Sequence, residues 1–160
     1  MNKAYLLIGG NLGDRQQNLE KARALLNRFC GTITKMSSVY ETDAWGNTEQ
    51  PSFLNQAVEL ETELNAKKLI RSILKTENNM GRVRNGKYSP RIIDIDILLF
   101  NEEQHNYSFL KIPHPELHKR RFALVPLAEI APDVLHPVIN KNIMTLLKEC
   151  KDELTVRKLS

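Results

Sequence analysis

Cysteine is scarce in this sequence, whose 160 residues include two, Cys30 and Cys150. Two thiols that lie so far apart make neither a disulfide framework nor a zinc site, so each is expected to behave as a small apolar side chain. The sequence also lacks an apolar run long enough to cross a bilayer, and no secretory signal precedes its first apolar segment. These absences predict a cytoplasmic protein with no membrane partner.

Two familiar phosphate-binding signatures are also absent. The sequence contains neither G-x-x-x-x-G-K-[ST] nor G-x-G-x-x-G, which argues against a P-loop protein, a Rossmann domain and a protein kinase. The formal net charge of +4 is a mild preference for anionic ligands and does not by itself imply nucleic acid. Hydrophobic residues make up 41% and charged residues 26%, as expected for one compact domain spanning residues 1–160.

The apolar periodicity predicts the element order β-α-β-β-α-β. Asp14 and Asn65 are of the residue types that begin helices, and Gly31 and Gly81 are of the type that ends them. This order is typical of an α+β sandwich of ferredoxin-like type, in which helices pack on one face of an antiparallel sheet. Strands are predicted at 3–9, 32–42, 52–64 and 91–100, a hairpin partner at 107–112, and C-terminal additions as helices from 122 and near 142–150 and a strand at 154–159.

The stretch SPRIIDIDILLF places two carboxylates inside an apolar, β-branched run. Side chains alternate along a strand, so Asp94 and Asp96 are expected to face one side while Ile93 and Ile95 face the core. Two neighbouring carboxylates with no basic residue between them repel each other and need a positive partner. Mg²⁺, which proteins hold through one or two carboxylates together with substrate phosphates, meets this requirement.

Basic residues precede this acidic strand. Arg82, Arg84 and Lys87 lie in the loop GRVRNGKYSP, and Arg91 begins the strand itself. Guanidinium groups beside metal-binding acids are what polyphosphate chemistry requires. The alternative is a solvent-facing strand beside a solvated basic loop, because a D-x-D pattern alone is a weak motif. The combination of acids and bases favours the phosphate site.

Three segments resemble the 6-hydroxymethyl-7,8-dihydropterin pyrophosphokinase family of folate synthesis. They read IGGNLGDRQQNL at 8–19, GRVRNGKYSPRIIDIDILLF at 81–100 and IPHPELHKRRFALVPLAEIAPDVLHP at 112–137. The resemblance implies a ferredoxin-like α+β fold. It also implies that the β,γ-pyrophosphoryl group of ATP passes to the hydroxymethyl oxygen of the pterin, that AMP is released, and that two Mg²⁺ ions take part.

The same resemblance implies roles for individual residues. Asp94 and Asp96 match the metal-binding aspartates, and Arg82 and Arg91 join them as candidate catalytic residues. The implied ATP-binding residues are Glu77, Arg82, Arg84, Arg91, His114 and Arg120, and the implied pterin-binding residues are Thr42, Trp45, Phe53, Asn55, Tyr88 and Phe122. We expect two aromatic rings, Phe53 and Phe122, to stack on the pterin, and the Asn55 amide to bind its edge.

Glu77 and His114 each leave an alternative open. Glu77 follows Ile73 on the apolar face of the second predicted helix, where a carboxylate needs a partner. That partner is either the nucleotide region or a loop arginine, or else an ordinary salt bridge. His114 stands between two prolines and is interpreted as a hydrogen-bond donor to phosphate in preference to a general base.

Two other functions are compatible with parts of this pattern. RNA-binding modules share the β-α-β-β-α-β order, but they present aromatic side chains where this sequence presents aspartates, which repel RNA phosphates. A Mg-dependent phosphotransferase with a different acceptor would bind ATP without binding the pterin. We therefore predict a monomeric enzyme whose partners are ATP and 6-hydroxymethyl-7,8-dihydropterin, without nucleic acid.

Overall fold

The computed structural model describes residues 1–44, 49–82 and 90–159 of the chain. Its strands are β1 (Asn2–Gly10), β2 (Thr32–Met36), β3 (Tyr40–Thr42), β4 (Phe53–Thr62), β5 (Asp94–Phe100), β6 (His105–Tyr107), β7 (Leu110–Ile112) and β8 (Val156–Lys158). Its helices are α1 (Arg15–Phe29), α2 (Ala66–Asn79), α3 (Arg121–Ile130) and α4 (Ile143–Glu149), with a 3₁₀ turn at Leu117–Lys119. Among the described helices, none is both long enough and apolar enough to span a membrane.

The central sheet has the strand order β5-β1-β4-β3-β8, and β2 pairs with β4 next to β3. Every pairing within it is antiparallel. Because β2 and β3 both pair with β4, they act together as one interrupted strand, and the elements from β1 to β5 follow the β-α-β-β-α-β order. The prediction of a ferredoxin-like α+β fold with C-terminal additions is confirmed.

Helices cover both faces of the central sheet. On one face, Leu6 of β1 packs in a core with Leu26 of α1 and Leu69 of α2. On the other face, Leu7 of β1 packs in a second core with Leu124 of α3. The expectation of helices on one face therefore holds for α1 and α2 and not for the additions, because the apolar helix α3 needs a second sheet surface to bury its side chains.

The predicted helix starts agree with the observed caps. Asp14 accepts the Gln17 backbone N–H at 3.1 Å, and Asn65 accepts the Lys68 backbone N–H at 2.9 Å. The prediction that residues 107–112 return as the hairpin partner of the aspartate strand is wrong. The chain turns between Tyr107 and Leu110, so β6 pairs with β7 in a separate two-stranded sheet.

Candidate active site

One face of the central sheet forms the floor of a cavity of about 540 Å³. Alternate residues of three neighbouring strands line this floor: Leu7 and Gly9 of β1, Phe53 and Asn55 of β4, and Asp94 and Asp96 of β5. The register explains their meeting, because Gly9 lies opposite Asn55 on one side and opposite Asp94 on the other. The alternation predicted for β5 thus brings both carboxylates to the cavity.

Asp94 and Asp96 differ in their partners. Arg91 Nη1 donates to Asp94 Oδ2 at 3.0 Å, and Arg82 Nη2 lies 3.6 Å from Asp94 Oδ1. The backbone of Asp96 pairs with Leu7 of β1, but its carboxylate makes no hydrogen bond or ion pair with any residue in the described part of the chain. Burial and the charge of Asp94 raise the pKa of Asp96 well above its usual range, against the opposing effect of Arg120. A cation bound between the carboxylates would stabilise the ionised pair.

Arg82 carries donors that no described group accepts. Its side chain is 10% exposed, and its Nε and Nη1 atoms have no hydrogen-bond partner among the described residues. Each buried donor left unpaired costs about 1–3 kcal/mol. Phosphate oxygens accept the forked hydrogen bonds of a guanidinium group, so an anionic ligand next to Asp94 would satisfy these donors.

The Asn55 amide occupies space that a glycine leaves free. Asn55 is 6% exposed, and its Nδ2 donates to Thr42 Oγ1 at 3.4 Å. A Cβ atom at Gly9 would lie 2.2 Å from Asn55 Oδ1, so this close approach requires glycine. Thr42 and Asn55 both line the cavity, which offers a hydroxyl and an amide to a polar heterocycle.

Two arginine side chains lie over aromatic rings in the cavity lining. The Arg91 guanidinium lies 5.6 Å from the centroid of the Phe53 ring, and the Arg120 guanidinium lies 5.5 Å from that of Phe122. Contacts of this kind are attractive, because the ring face is negative. Both arginines also act electrostatically on Asp96, so the aromatic and acidic parts of the cavity form one continuous site.

His114 lines the cavity as a neutral ring. Burial and the positive charge of Arg120 lower the pKa of His114 to about 4. Its Nδ1 accepts the Glu116 backbone N–H at 3.1 Å, so the neutral ring carries its hydrogen on Nε2. This arrangement suits the phosphate-side donor that we predicted, and a ring with so low a pKa is a poor base at neutral pH.

Glu77 is not among the residues that line the cavity. It is 2% exposed, and its Oε2 accepts the Ile95 backbone N–H at 2.8 Å. Ile95 stands between the two aspartates on the edge strand β5, so Glu77 fixes the backbone that carries them. The contact of Glu77 with ATP that the resemblance implies stays a prediction.

The predicted site residues and the residues that line the cavity are not the same set. Trp45, Arg84 and Tyr88 lie outside the described residues. Conversely, the cavity lining includes Gly9, Asp152 and Leu154, which sequence reasoning missed. The two glycines that end the first predicted strand were a usable indication, because glycine in a strand often marks a close approach of another group. The residues near 152 follow no motif that predicts a place in a site.

The donor set suits a metal ion that shares its coordination with a substrate. Within residues 1–44, 49–82 and 90–159, no group of three or more His, Cys, Asp and Glu side chains is arranged to hold a metal. Asp94 and Asp96 would therefore supply protein ligands to an ion that completes its coordination with phosphate oxygens and water, as Mg²⁺ does. The unpaired carboxylate of Asp96 is the observation that favours this fit.

Fold and cavity together define a class of protein, an α+β phosphotransferase that brings paired carboxylates and arginines to one face of a ferredoxin-like sheet. Residues 5–132 match the family described as 7,8-dihydro-6-hydroxymethylpterin-pyrophosphokinase (HPPK). The chain belongs to this family, which confirms the family and the enzyme class predicted from the sequence motifs.

Two curated relatives match this chain over most of their own length. A 2-amino-4-hydroxy-6-hydroxymethyldihydropteridine pyrophosphokinase from Bacillus subtilis (strain 168) is 46% identical over 134 residues, which cover 83% of this chain and 80% of the relative. A protein of the same name from Aquifex aeolicus (strain VF5) is 43% identical over 157 residues, covering 98% and 95%. The second alignment extends into the C-terminal additions.

Solved structures support the fold. A crystal structure of a Plasmodium falciparum HPPK-DHPS triple mutant superimposes with a TM-score of 0.75 at 19% sequence identity. The match covers 92% of this chain and 43% of that longer chain. At this identity the likeness is evidence for the shared architecture alone.

Proposed function

We propose that the cavity binds ATP and 6-hydroxymethyl-7,8-dihydropterin side by side, and that the enzyme transfers the β,γ-pyrophosphoryl group from the first to the second. The observation that carries this proposal is the meeting of three groups on one sheet face. The carboxylates of β5, the arginines next to them and a polar, aromatic-lined pocket all contribute to the same cavity. A polyphosphate and a flat heterocycle are the ligands that such a site accommodates.

The pterin belongs on the β3 and β4 side of the cavity. Asn55 offers both a donor and an acceptor to the amide edge of the pterin ring, and Thr42 next to it offers a hydroxyl. Phe53 and Phe122 supply flat apolar surfaces on which an aromatic ligand stacks. This assignment leaves the hydroxymethyl group of the pterin directed toward the aspartates of β5.

ATP belongs on the β5 side of the cavity. Arg82 is not among the residues that line the cavity, but its unpaired donors lie next to Asp94, which does line it, and would donate to phosphate oxygens bound there. Arg120 and the neutral His114 line the neighbouring wall, where His114 would donate through Nε2. These groups hold the triphosphate by hydrogen bonds whose strength rises in a cavity from which water is excluded.

Asp94 and Asp96 would hold Mg²⁺, and the family resemblance implies two ions. When bound, Mg²⁺ supplies charge stabilisation to the phosphates and lowers the pKa of a coordinated hydroxyl group. The chain contributes the fixed positions of its carboxylates, which the strand β5 places on one face. Glu77 supports that placement through its hydrogen bond to the Ile95 backbone.

In the transfer step, the hydroxymethyl oxygen of the pterin forms a bond to the β-phosphorus of ATP. The bond from that phosphorus to the oxygen bridging it to the α-phosphorus breaks, so AMP leaves with that oxygen. The hydroxyl proton passes to solvent. Arg91 lies between Asp94 and the Phe53 ring, where its charge balances the negative charge that develops between the two substrates.

Removing one carboxylate at a time tests this proposal. Asp94→Asn and Asp96→Asn keep the side-chain shape and remove one negative charge each, so pterin-dependent AMP formation should fall by about 100-fold or more. The assay follows AMP by HPLC with ATP, Mg²⁺ and the pterin. Glu102→Gln, which changes an exposed acid in the turn after β5, is the matched control and should keep the wild-type rate.

The acceptor is tested by direct binding. The rival phosphotransferase with a different acceptor predicts a wild-type protein that binds ATP and does not bind the pterin. A fluorescence titration with 6-hydroxymethyl-7,8-dihydropterin in the presence of a non-hydrolysable ATP analogue separates the two functions. Saturable pterin binding supports the proposal, and ATP binding without it overturns the assignment of the acceptor.

A further inference from the structure

The C-terminal strap, defined here as residues 150–159, lies beyond the family match, which ends at residue 132. Two of its residues, Asp152 and Leu154, nevertheless line the cavity. Nothing in the mechanism derived above uses either residue. The strap therefore closes a wall of the site from a part of the chain that the family pattern leaves undescribed.

The strap is fastened to the strand that carries Thr42. Its strand β8 pairs with β3, with Val156 opposite Thr42, and Leu159 N–H donates to Val39 O at 2.9 Å. Arg157 Nη2 lies 3.3 Å from Asp43 Oδ1. Since Thr42 and Asp43 line the cavity, this fastening holds the strap at the pterin side.

The strap is also fastened to the helix that carries Phe122. Asp152 Oδ2 accepts the backbone N–H of Arg121, the first residue of α3, at 3.1 Å, and its Oδ1 accepts the Leu154 N–H at 3.0 Å. Arg120 precedes the helix without a side-chain cap of its own, so the distant carboxylate of Asp152 takes that place. A carboxylate there also interacts favourably with the helix dipole.

The position of Asp152 has a consequence for the site. Arg120 and Phe122 flank the residue whose amide Asp152 binds, and both line the cavity. The hydrogen bond therefore fixes the start of α3, from which the ring of Phe122 and the guanidinium group of Arg120 face the cavity. Leu154, held by the other oxygen of the same carboxylate, adds an apolar surface to the same wall.

We propose that the C-terminal strap is part of the pterin-binding wall, with Asp152 as a positioning residue for α3 and Leu154 as an apolar wall residue. The proposal rests on the function proposed above and adds a determinant of pterin affinity to it. The binding of ATP, which is assigned above to the β5 side of the cavity, is expected to depend on the strap less than the binding of the pterin.

The test compares KM values for the two substrates. Leu154→Ala should raise the KM for the pterin about fivefold to tenfold, while the KM for ATP stays within about twofold of wild type. Asp152→Ala should raise the KM for the pterin by a similar factor and the KM for ATP by a smaller one, because Arg120 on the ATP side precedes the same helix start. Leu154→Met preserves the apolar volume and should restore pterin affinity. Glu153→Ala, an exposed acid between the two residues, is the matched control and should behave as wild type.

The outcomes distinguish this proposal from the proposed function. A wild-type protein without pterin-dependent AMP formation would overturn the proposed function and the strap proposal with it. An active wild type, with Asp152→Ala and Leu154→Ala matching its KM for the pterin, would overturn the strap proposal alone. Equal increases in both KM values would also overturn it, because they indicate a general structural role.

A second measurement needs no variant. Hydrogen exchange of the wild-type protein reports the opening of peptides that cover residues 150–159. Addition of the pterin together with a non-hydrolysable ATP analogue should slow exchange there more than addition of the analogue alone. Equal protection in the two experiments would contradict a strap that contacts or supports the pterin site.

Discussion

Gly9 occupies a place in β1 that no side chain can share with Asn55. A Cβ atom there would lie 2.2 Å from Asn55 Oδ1 and 2.6 Å from the Leu54 carbonyl oxygen. We expect Gly9→Ala to displace the Asn55 amide and to raise the KM for the pterin about tenfold, the effect of losing one buried hydrogen-bonding position. Steady-state kinetics with varied pterin at saturating ATP measures this change.

Gly31 supplies the control for this substitution. A Cβ atom at Gly31 would lie 2.2 Å from the Glu61 carbonyl oxygen, a clash as close as the one between a Cβ atom at Gly9 and Asn55 Oδ1. Gly31, however, does not line the cavity. Gly31→Ala should lower the melting temperature and leave the KM for the pterin unchanged. If both variants raised that KM equally, the effect of Gly9 would be general destabilisation.

His114 makes stability depend on pH. Its pKa falls from 6.5 to about 4 through burial and the charge of Arg120, opposed by the nearby acids Glu116 and Asp94. Between these two pKa values the unfolded chain binds a proton that the folded protein does not, so stability falls as pH drops from about 6.5 toward 4. Because the ring is partly exposed, we expect the loss to be roughly 2 kcal/mol.

Urea unfolding of wild type and His114→Gln at pH 7 and near pH 4.5 measures this loss. The wild type should lose more stability than the variant over that interval, since Gln carries no group that titrates there. Other acids that titrate in the same range contribute to both proteins and cancel in the comparison. Parallel losses in the two proteins would show that His114 is protonated as easily in the folded state as in the unfolded chain.

The sequence predicts the positions of some functional residues and not the roles of others. The positions of Asp94 and Asp96 follow from the two-residue period of a strand, and their acidic chemistry is visible in the letters. The role of Asp152 depends on a contact with Arg121, 31 residues away in the chain. No local pattern encodes such a contact, so a prediction from spacing could not find it.

At the scale of elements, the edge strand β5 is stabilised by a side chain of α2. Glu77 accepts the Ile95 N–H at 2.8 Å while it is 2% exposed. We expect Glu77→Ala to lower the free energy of unfolding by about 1–3 kcal/mol, because it leaves a buried amide unpaired. Glu77→Gln keeps an oxygen that can accept the same N–H and should recover most of the loss in urea unfolding.

Lys75→Ala, an exposed substitution on the same helix, should leave stability within about 0.5 kcal/mol of wild type. If Glu77→Gln were as unstable as Glu77→Ala, the charge of Glu77 would be the stabilising feature. The hydrogen bond to Ile95 would then be secondary, and the support of the aspartate strand would have to be assigned to an ion pair.

The start of β5 shows that the boundaries of an element are harder to predict from sequence than its existence. The residue pattern predicts a strand from 91, whereas the observed strand begins at Asp94. Arg91 is already engaged, because its N–H donates to Asn11 Oδ1 at 2.8 Å and its carbonyl accepts the Asn11 N–H at 2.9 Å. Helix starts were predicted better, since their caps are local contacts that the sequence displays at Asp14 and Asn65.

At the scale of the whole molecule, the central sheet separates two apolar cores. The cavity with the paired aspartates lies on the sheet face that also packs against α3. The sequence predicted that the helices exist but not which face α3 and α4 cover. An apolar helix such as α3 carries little information about its partner surface, because many sheet faces would bury it equally. The packing of Leu124 in the core that contains Leu7 decides the matter in the folded chain.

The prediction of one domain over residues 1–160 requires the two layers to unfold together. Leu69 of α2 and Leu124 of α3 are both 0% exposed and lie in different cores, so each truncation to Ala should cost about 2–5 kcal/mol. Both layers share the strands β1, β4 and β5, and loss of either would expose one face of the same sheet. Calorimetry should therefore record a single transition at a lower temperature for both variants. Two separate transitions in Leu124→Ala would mean that the sheet and the α1–α2 layer persist without α3, and that the chain holds two folding units.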